Sequence, residues 1–256
     1  FPDRYDRCGW NDLEKKDSNG NYYYDFSWIE NLAAKAASGD PKGVVGFRFR
    51  SVSTYTGGKL VPDYVPTWST TTEGGKPLYV PYWNDEVFLS GLERLVAELG
   101  RKYDNDPRIG FIDIGPYGNF GEWHLGSIGG TPATEENKKR MIDAFIKAFP
   151  HKRLVMMTDD SFALNYALSV SPEIGWRRDS FMSEHFETFK TDLITDRWKN
   201  APAVFEPMSA SNVDPSLALE QIHKYHAATI NRINYTSDAT KTAAIDPTEK
   251  HSGYRY

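Results

Sequence analysis

At 256 residues, with 39% hydrophobic side chains and a formal net charge of −5, the chain can bury one full core of the size of a single α/β barrel domain. It has no basic run of the kind that marks a nucleic-acid footprint and no apolar run long enough to span a bilayer, so neither a nucleic-acid partner nor a membrane span is expected. Cys8 is the only cysteine, which excludes an intrachain disulfide, and the 14% of aromatic residues suits a tyrosine-rich core and a carbohydrate surface alike.

Along the chain, short strands alternate with helices. A weak strand pattern covers Arg4 to Arg7. Ser27 can cap a helix that runs through Ile29, Leu32, Ala33 and Ala36. Val44 to Phe49 is β-rich, and Arg48 and Arg50 alternate onto one face of it. Residues 51–83 read as a long loop carrying Gly57-Gly58, Gly74-Gly75, Trp68 and Trp83; a loop of that length in a compact domain is usually functional or disordered, and its tryptophans argue for order. Asn84 or Asp85 can cap a helix with Phe88, Leu92, Leu95, Val96 and Leu99 as its apolar stripe. Ile109 to Ile114 alternates as a strand. Thr134 can cap a helix with Met141, Ile142, Phe145 and Ile146 on its buried side. Leu154 to Met157, Phe181-Met182, Ala203 to Phe205 and Ala227 to Ile230 are further strand candidates, and Pro215 to His226 reads as a last helix.

Such alternation implies a parallel sheet covered by helices. Gly115, Gly118 and Gly121 are spaced by three, which is not the dinucleotide fingerprint, and no Gly-Lys-Ser/Thr is present. The expected fold is therefore α/β, a (β/α)8 TIM-type barrel over residues 1–256 as a single domain, with its first strand missing or hidden in an unusual N-terminus. Taking the strand near Arg4 as the second, those at 44–49, 109–115, 154–158, 181–185, 203–206 and 227–231 become the third to the eighth, and they should be parallel neighbours in that order.

The chemistry centres on Ile112-Asp113-Ile114-Gly115-Pro116-Tyr117-Gly118-Asn119-Phe120-Gly121-Glu122-Trp123-His124. A short strand runs into a glycine- and aromatic-rich loop that delivers one carboxylate. Glycoside cleavage needs such an acid to protonate the glycosidic oxygen, and an aromatic face to stack on a pyranose suits the same site. The plain alternative is a strand-to-helix loop whose glutamate points into water. A second carboxylate, Glu206, follows Ala203-Val204-Phe205.

Around this pair, Tyr117, Trp123, Trp68 and Trp83 are expected to line a sugar cleft, and Arg48 to orient a carboxylate. Arg7, Trp10, Asn119 and His124 are further substrate-binding candidates. Asp159 and Asp160 are adjacent on a strand, so one of them at most faces the cleft, with Asp159 taken as the candidate. Glu184 and His185 could supply a proton relay or a hydroxyl contact. His223 and His226 lack further ligands at suitable spacing and read as surface or core-packing residues, and no nucleophile elbow supports Ser-His-Asp chemistry. Neither a cofactor nor a metal is expected, since two carboxylates suffice. Asn234-Tyr235-Thr236 fits the glycosylation tripeptide.

Tyr5-Asp6-Arg7-Cys8-Gly9-Trp10-Asn11-Asp12-Leu13-Glu14, followed by Tyr24-Asp25-Phe26-Ser27-Trp28-Ile29, resembles the early barrel segment of clan-A glycoside hydrolases. Pro81-Tyr82-Trp83-Asn84-Asp85, Arg101 to Arg108, Gly175-Trp176-Arg177-Arg178-Asp179-Ser180 and Trp198 to Glu206 extend the resemblance to a bacterial family that pairs a β-galactosidase-like barrel with a C-terminal β-domain. The resemblance implies the barrel fold, glycoside hydrolysis on an oligo- or polysaccharide and a secreted or periplasmic location. It also implies that Glu122 and Glu206 occupy the acid/base and nucleophile places on strands four and seven. Two departures stand out. Clan-A enzymes usually carry Asn directly before the acid/base glutamate, where this chain has Gly121, with Asn119 as a possible substitute. The family's β-domain is expected to be absent, because the chain stops at Tyr256. Gly115-Pro116-Tyr117-Gly118 is also similar to β-amylases, which invert.

The expectation is a retaining glycoside hydrolase whose carboxyls stand about 5–5.5 Å apart. Glu122, desolvated beside Trp123 and near an ionised Glu206, should have a raised pKa. A carbohydrate-binding barrel without catalysis, or an inverting enzyme using the same cleft, is the alternative.

Overall fold

The computed structural model describes residues 4–39, 42–188, 191–207, 214 and 216–230. The Asn234 tripeptide and the C-terminal Tyr256 lie outside them. Seven strands form one sheet in sequence order, two hairpins stand apart from it, and the sheet's strand pairs within each unit are parallel. The fold class is therefore the parallel, sequentially ordered α/β class expected from the sequence. The chain divides into two compact units, meeting at Leu154 and Val155.

In the first unit, β1 (Arg4–Gly9) leads through a one-turn α1 (Trp10–Leu13) into a hairpin of β2 (Glu14–Lys16) and β3 (Tyr22–Tyr24). Then follow α2 (Ser27–Ala37), β4 (Val45–Arg50), a second hairpin of β5 (Thr67–Thr71) and β6 (Pro77–Pro81), α3 (Glu86–Tyr103), β7 (Ile109–Asp113) and α4 (Glu135–Ala148). The weak pattern at Arg4–Arg7 is thus a full strand, paired in parallel with β4 from Arg4↔Val45 to Gly9↔Arg50. The long loop after β4 is built around an antiparallel hairpin, which accounts for its tryptophans.

The helices form where the apolar stripes lie. Ile29, Leu32, Ala33 and Ala36 of α2 are buried, as are Phe88, Leu92, Leu95, Val96 and Leu99 of α3. Asp85 caps α3, its Oδ1 accepting from Val87 N at 2.8 Å, while Asn84 bonds to the chain at Pro132 and Thr134. Thr134 caps α4 by accepting from Asn137 N at 3.2 Å. Met141, Ile142 and Phe145 are buried, whereas Ile146 is half-buried at the edge of the stripe. Ser27 does not cap α2: it is the first helical residue, the N-cap is Phe26 without a side-chain cap, and the Asp25 carboxylate before it accepts from Ser27 N at 2.9 Å. Phe49 stacks on Phe145 at 5.8 Å and joins sheet to helix layer.

The second unit holds the rest of β8 (Arg153–Met157), then α5 (Ser161–Val170), β9 (Ile174–Phe181), β10 (Ala203–Pro207), α6 (Ser216–Tyr225) and β11 (Ala227–Ile230). Two sequence expectations need correction here. The sixth strand lies at Ile174–Phe181, not at 181–185, and Glu184–Thr188 forms a 3-10 turn. Four polar or charged residues in a row, Arg177 to Ser180, hid the strand; their charges are paired across the fold, so the strand can still be central. Residues 161–170 form a helix that the strand reading passed over, capped by Asp160 Oδ1 from Ala163 N at 2.9 Å. Trp176, Phe186, Phe205 and Tyr225 build this unit's core, with ring centroids 4.7 Å apart for Phe186–Phe205 and 5.3 Å for Trp176–Tyr225. Full burial of each such side chain contributes about 1.5–3 kcal/mol.

Candidate active site

In the first unit the candidate acid sits just beyond the C-terminal end of β7, on a loop folded back on itself. Asn119 N donates to His124 O at 2.7 Å and Trp123 N to Tyr117 O at 3.1 Å. Phe120 and Trp123 both take positive φ, 58° and 64°, which non-glycine residues adopt only when surroundings compel it.

Arg48 comes from the adjacent strand β4 and is fully buried. Its NH2 donates to Glu122 Oε1 at 2.9 Å, and its NH1 lies 3.5 Å from Asp113 Oδ2. Asp113 is itself fully buried and also accepts from the Tyr5 hydroxyl at 2.6 Å. The arginine stem reaches Glu122 because two glycines make room. A Cβ on Gly115 would stand 2.2 Å from the Arg48 stem, and one on Gly121 would stand 2.4 Å from Gly115 O at a φ of +74°. The same geometry explains the departure at residue 121: an asparagine there lacks the space, its Cβ standing 2.4 Å from Gly115 O.

Glu122 is 12% exposed and its second oxygen lies 3.4 Å from His124 Nε2. The side chain is largely withdrawn from solvent, as expected, while the Arg48 guanidinium opposes the rise in pKa expected from the sequence. A guanidinium at 2.9 Å favours the ionised carboxylate.

Several predicted ligand residues instead hold the loop in place. Asn119 is buried, its Oδ1 accepting from Thr54 N at 3.1 Å and its Nδ2 donating to Thr54 Oγ1 at 3.1 Å, so its amide is occupied by the protein. Tyr117 and Trp123 are each 2% exposed and offer no open stacking face. The Tyr117 hydroxyl accepts from Ala133 N, and Trp123 Nε1 donates to Ile114 O at 2.5 Å. Trp83 packs edge-on against Tyr117 at 5.0 Å, and Tyr117 against Trp123 at 5.4 Å, forming one aromatic wall. On its other side, Trp83 with Trp68, Tyr82, Asn84, Gly130 and Thr131 lines an open cavity of about 670 Å³. Trp68 is half-buried and Tyr82 is exposed, so these two, not Tyr117 and Trp123, present aromatic surface. Trp10 is fully buried and spends its Nε1 on Glu14 Oε2 at 2.7 Å. Arg7 is half-buried beside Arg48 in the β1–β4 register, with its guanidinium 5.5 Å from the Tyr5 ring.

The second unit repeats the device. Arg177 is fully buried on β9 and donates through NH2 to Glu206 Oε2, in close contact, while Asp179 Oδ1 lies 3.1 Å from the same nitrogen. Glu206 on β10 is the register partner of Asp179, so the three side chains share one face of the sheet. Their neighbours on the strand turn the other way: Trp176 enters the aromatic core, and Arg178 bonds to the His185 carbonyl at 2.7 Å and pairs with Asp159 at 3.4 Å. Asp160, the helix cap, is thereby removed from the pair of aspartates considered for the cleft. Glu184 and His185 are exposed on the 3-10 turn, and His185 takes part through its backbone. His223 lies exposed on α6, and His226 stacks on Trp198 at 3.8 Å.

Asp113, Arg177 and Asp179 belong to these charge clusters and were not singled out by sequence reasoning. Their signal was present: an acid between two isoleucines, and an Arg-x-Asp alternation inside a strand, each demand a buried counter-charge.

No family model and no curated protein matches this chain. Among solved structures, it is similar to a β-glucanase from Saccharophagus degradans, with a TM-score of 0.47 and 12% identity over 84% of this chain and 65% of that one. It is similar to endoglucanase Cel5A from Pseudomonas stutzeri, with a TM-score of 0.44 and 10% identity over 88% of this chain and 69% of that one. A third is endo-glycoceramidase II from Rhodococcus sp., with a TM-score of 0.46 and 11% identity over 86% of this chain and 60% of that one. The chain thus spans 65% of the β-glucanase and 60% of the glycoceramidase. At this distance the roles of its residues rest on its own geometry.

Proposed function

We propose that this chain is the barrel of a retaining glycoside hydrolase, with Glu122 as acid/base and Glu206 as nucleophile. The observation that carries the reading is that each glutamate, at or just beyond the C-terminal end of a parallel strand, is held by a fully buried arginine. Barrel enzymes build their chemistry at those strand ends. Arg177 favours the ionised form of Glu206, the form that attacks an anomeric carbon. Arg48 fixes Oε1 of Glu122, so the proton given to the leaving oxygen is carried on Oε2, the oxygen beside His124. After departure of the leaving group, Glu122 takes a proton from the water that releases the sugar from Glu206. Trp68 and Tyr82 supply the stacking surface for a further sugar unit.

A non-catalytic carbohydrate-binding barrel is the second reading, favoured by the Arg48 ion pair, which opposes protonation of Glu122. The test is a screen of oligosaccharides for turnover, followed by two variants on an active substrate. Glu206→Gln should nearly abolish turnover. Glu122→Gln should spare substrates with good leaving groups in the first step and regain its second step with azide. Proton NMR of the released sugar should show the anomer of the substrate retained, as direct attack across about 5–5.5 Å requires. Undiminished turnover by Glu206→Gln ends its role as nucleophile, and binding without turnover in the native chain establishes the second reading.

A further inference from the structure

Arg50 is the last residue of β4, two places beyond Arg48 and on the same strand face, a step of about 7 Å. Arg48 is spent on Asp113 and Glu122, but among the described residues Arg50 has no such counter-charge. Its one hydrogen bond goes to Ser53 Oγ at 3.4 Å, and no carboxylate among the described residues forms an ion pair with it. Its Nε is buried without a hydrogen-bond partner. Burial, and then the neighbouring guanidinium groups of Arg48 and Arg7, push its pKa down from the usual arginine value. A largely desolvated cation under the influence of two others is unfavourable unless an anion completes it. The side chain is half-buried rather than sealed, so an anion from solution can reach it.

We propose that the substrate is an acidic glycan, whose carboxylate or sulfate is received by Arg50 while Glu122 addresses the glycosidic bond. This rests on the hydrolase reading for the bond cleaved, but the recognition itself needs no turnover. A planar guanidinium matches the paired oxygens of either anion, and both are carried by common sugars as uronates or sulfate esters.

The experiment is calorimetric titration of the chain with oligogalacturonides, alginate oligomers and sulfated galactan oligosaccharides. Each is set beside its carboxyl-reduced or desulfated counterpart, at low and high salt. At least one acidic series should bind about tenfold or more tightly than its neutral counterpart, a preference that salt weakens. Whether uronate or sulfate wins identifies the source of the anion. Arg50→Gln should bring the preference to within about twofold, and Arg50→Lys should keep part of it because the charge survives without the fork. Equal binding of acidic and neutral partners by the native chain, a preference that persists in Arg50→Gln, or no binding of any acidic series overturns the proposal. The comparison within the native chain stands even if Arg50→Gln fails to fold. Turnover of neutral glycans without an acidic preference would remove the Arg50 proposal and leave the hydrolase reading intact. An Arg50-dependent preference without turnover would do the reverse.

Discussion

The Arg48 cluster and the Arg177 cluster join the same three kinds of side chain, one arginine with one aspartate and one glutamate, by different routes. Arg177, Asp179 and Glu206 meet through strand geometry alone: two residues alternate on β9 and the third is their register neighbour on β10. Arg48, Asp113 and Glu122 meet because a loop with two non-glycine residues at positive φ bends back over an arginine stem that Gly115 and Gly121 leave room for. The solvent exposure of the aspartate differs as well. Asp113 is 0% exposed and Asp179 is 25% exposed in their side chains. A charge pair assembled by a sheet is tolerant, because water can stand in for a lost partner. One assembled by a packed loop is not.

That difference predicts an ordered series of losses. Arg48→Ala should be the most damaging, because it takes the guanidinium from a sealed carboxylate. Breaking a buried pair in this way costs about 3–5 kcal/mol, which urea unfolding followed by tryptophan fluorescence would measure. A loss below about 1 kcal/mol would mean that water already reaches Asp113, and the contrast with the second cluster would fall.

Gly121→Ala should come next. The left-handed conformation costs an alanine about 1–2 kcal/mol, and crowding Gly115 O and the arginine stem adds about 1–3 kcal/mol. The expected total is about 2–5 kcal/mol, read from the midpoint shift at unchanged m-value. If the alanine variant is as stable as the native chain, the loop does not depend on that glycine.

The two clusters also separate what was legible in the sequence from what was not. The helices of the first unit were readable because stripes such as Phe88, Leu92, Leu95, Val96 and Leu99 repeat at helical spacing and a capping acid precedes them. Parallel strand order followed from the alternation. Glu122 and Glu206 stood out by position. Their partners did not, since Arg48 lies 74 residues from Glu122 and Arg177 lies 29 residues from Glu206, and no local pattern encodes which acid a buried arginine meets. The same blindness misplaced the sixth strand: the charges of Arg177 and Asp179 look exposed until their partners are known. Tyr117 and Trp123 were read as a stacking surface because composition does not separate an aromatic wall from the face that lies behind it.

Arg177→Ala should cost less than Arg48→Ala, about 1–3 kcal/mol, since Asp179 and Glu206 at 25% and 14% exposure can recover part of their hydration. The informative quantity is the difference between the two variants, measured side by side by thermal unfolding at one pH. An equal or larger loss at Arg177 would show that aspartate exposure is not what sets the clusters apart. Adding Asp179→Asn to Arg177→Ala should then recover stability, because it removes the carboxylate left uncompensated.

His124→Ala should have the smallest effect. The imidazole is 33% exposed and stands 3.4 Å from Glu122 Oε2, a long contact to an oxygen whose partner Oε1 is already fixed by Arg48. Exposed pairs of this kind contribute about 0–1 kcal/mol, so chemical unfolding should place the variant within that range of the native chain. The loop keeps its shape without the ring, because the bonds that close it at this residue run through the backbone: Asn119 N donates to the His124 carbonyl, which alanine retains. A loss above about 2 kcal/mol would mean that the imidazole, and not the arginine beneath, holds Glu122 in position. The two clusters would then differ in who does the holding rather than in how deeply the charge is sealed.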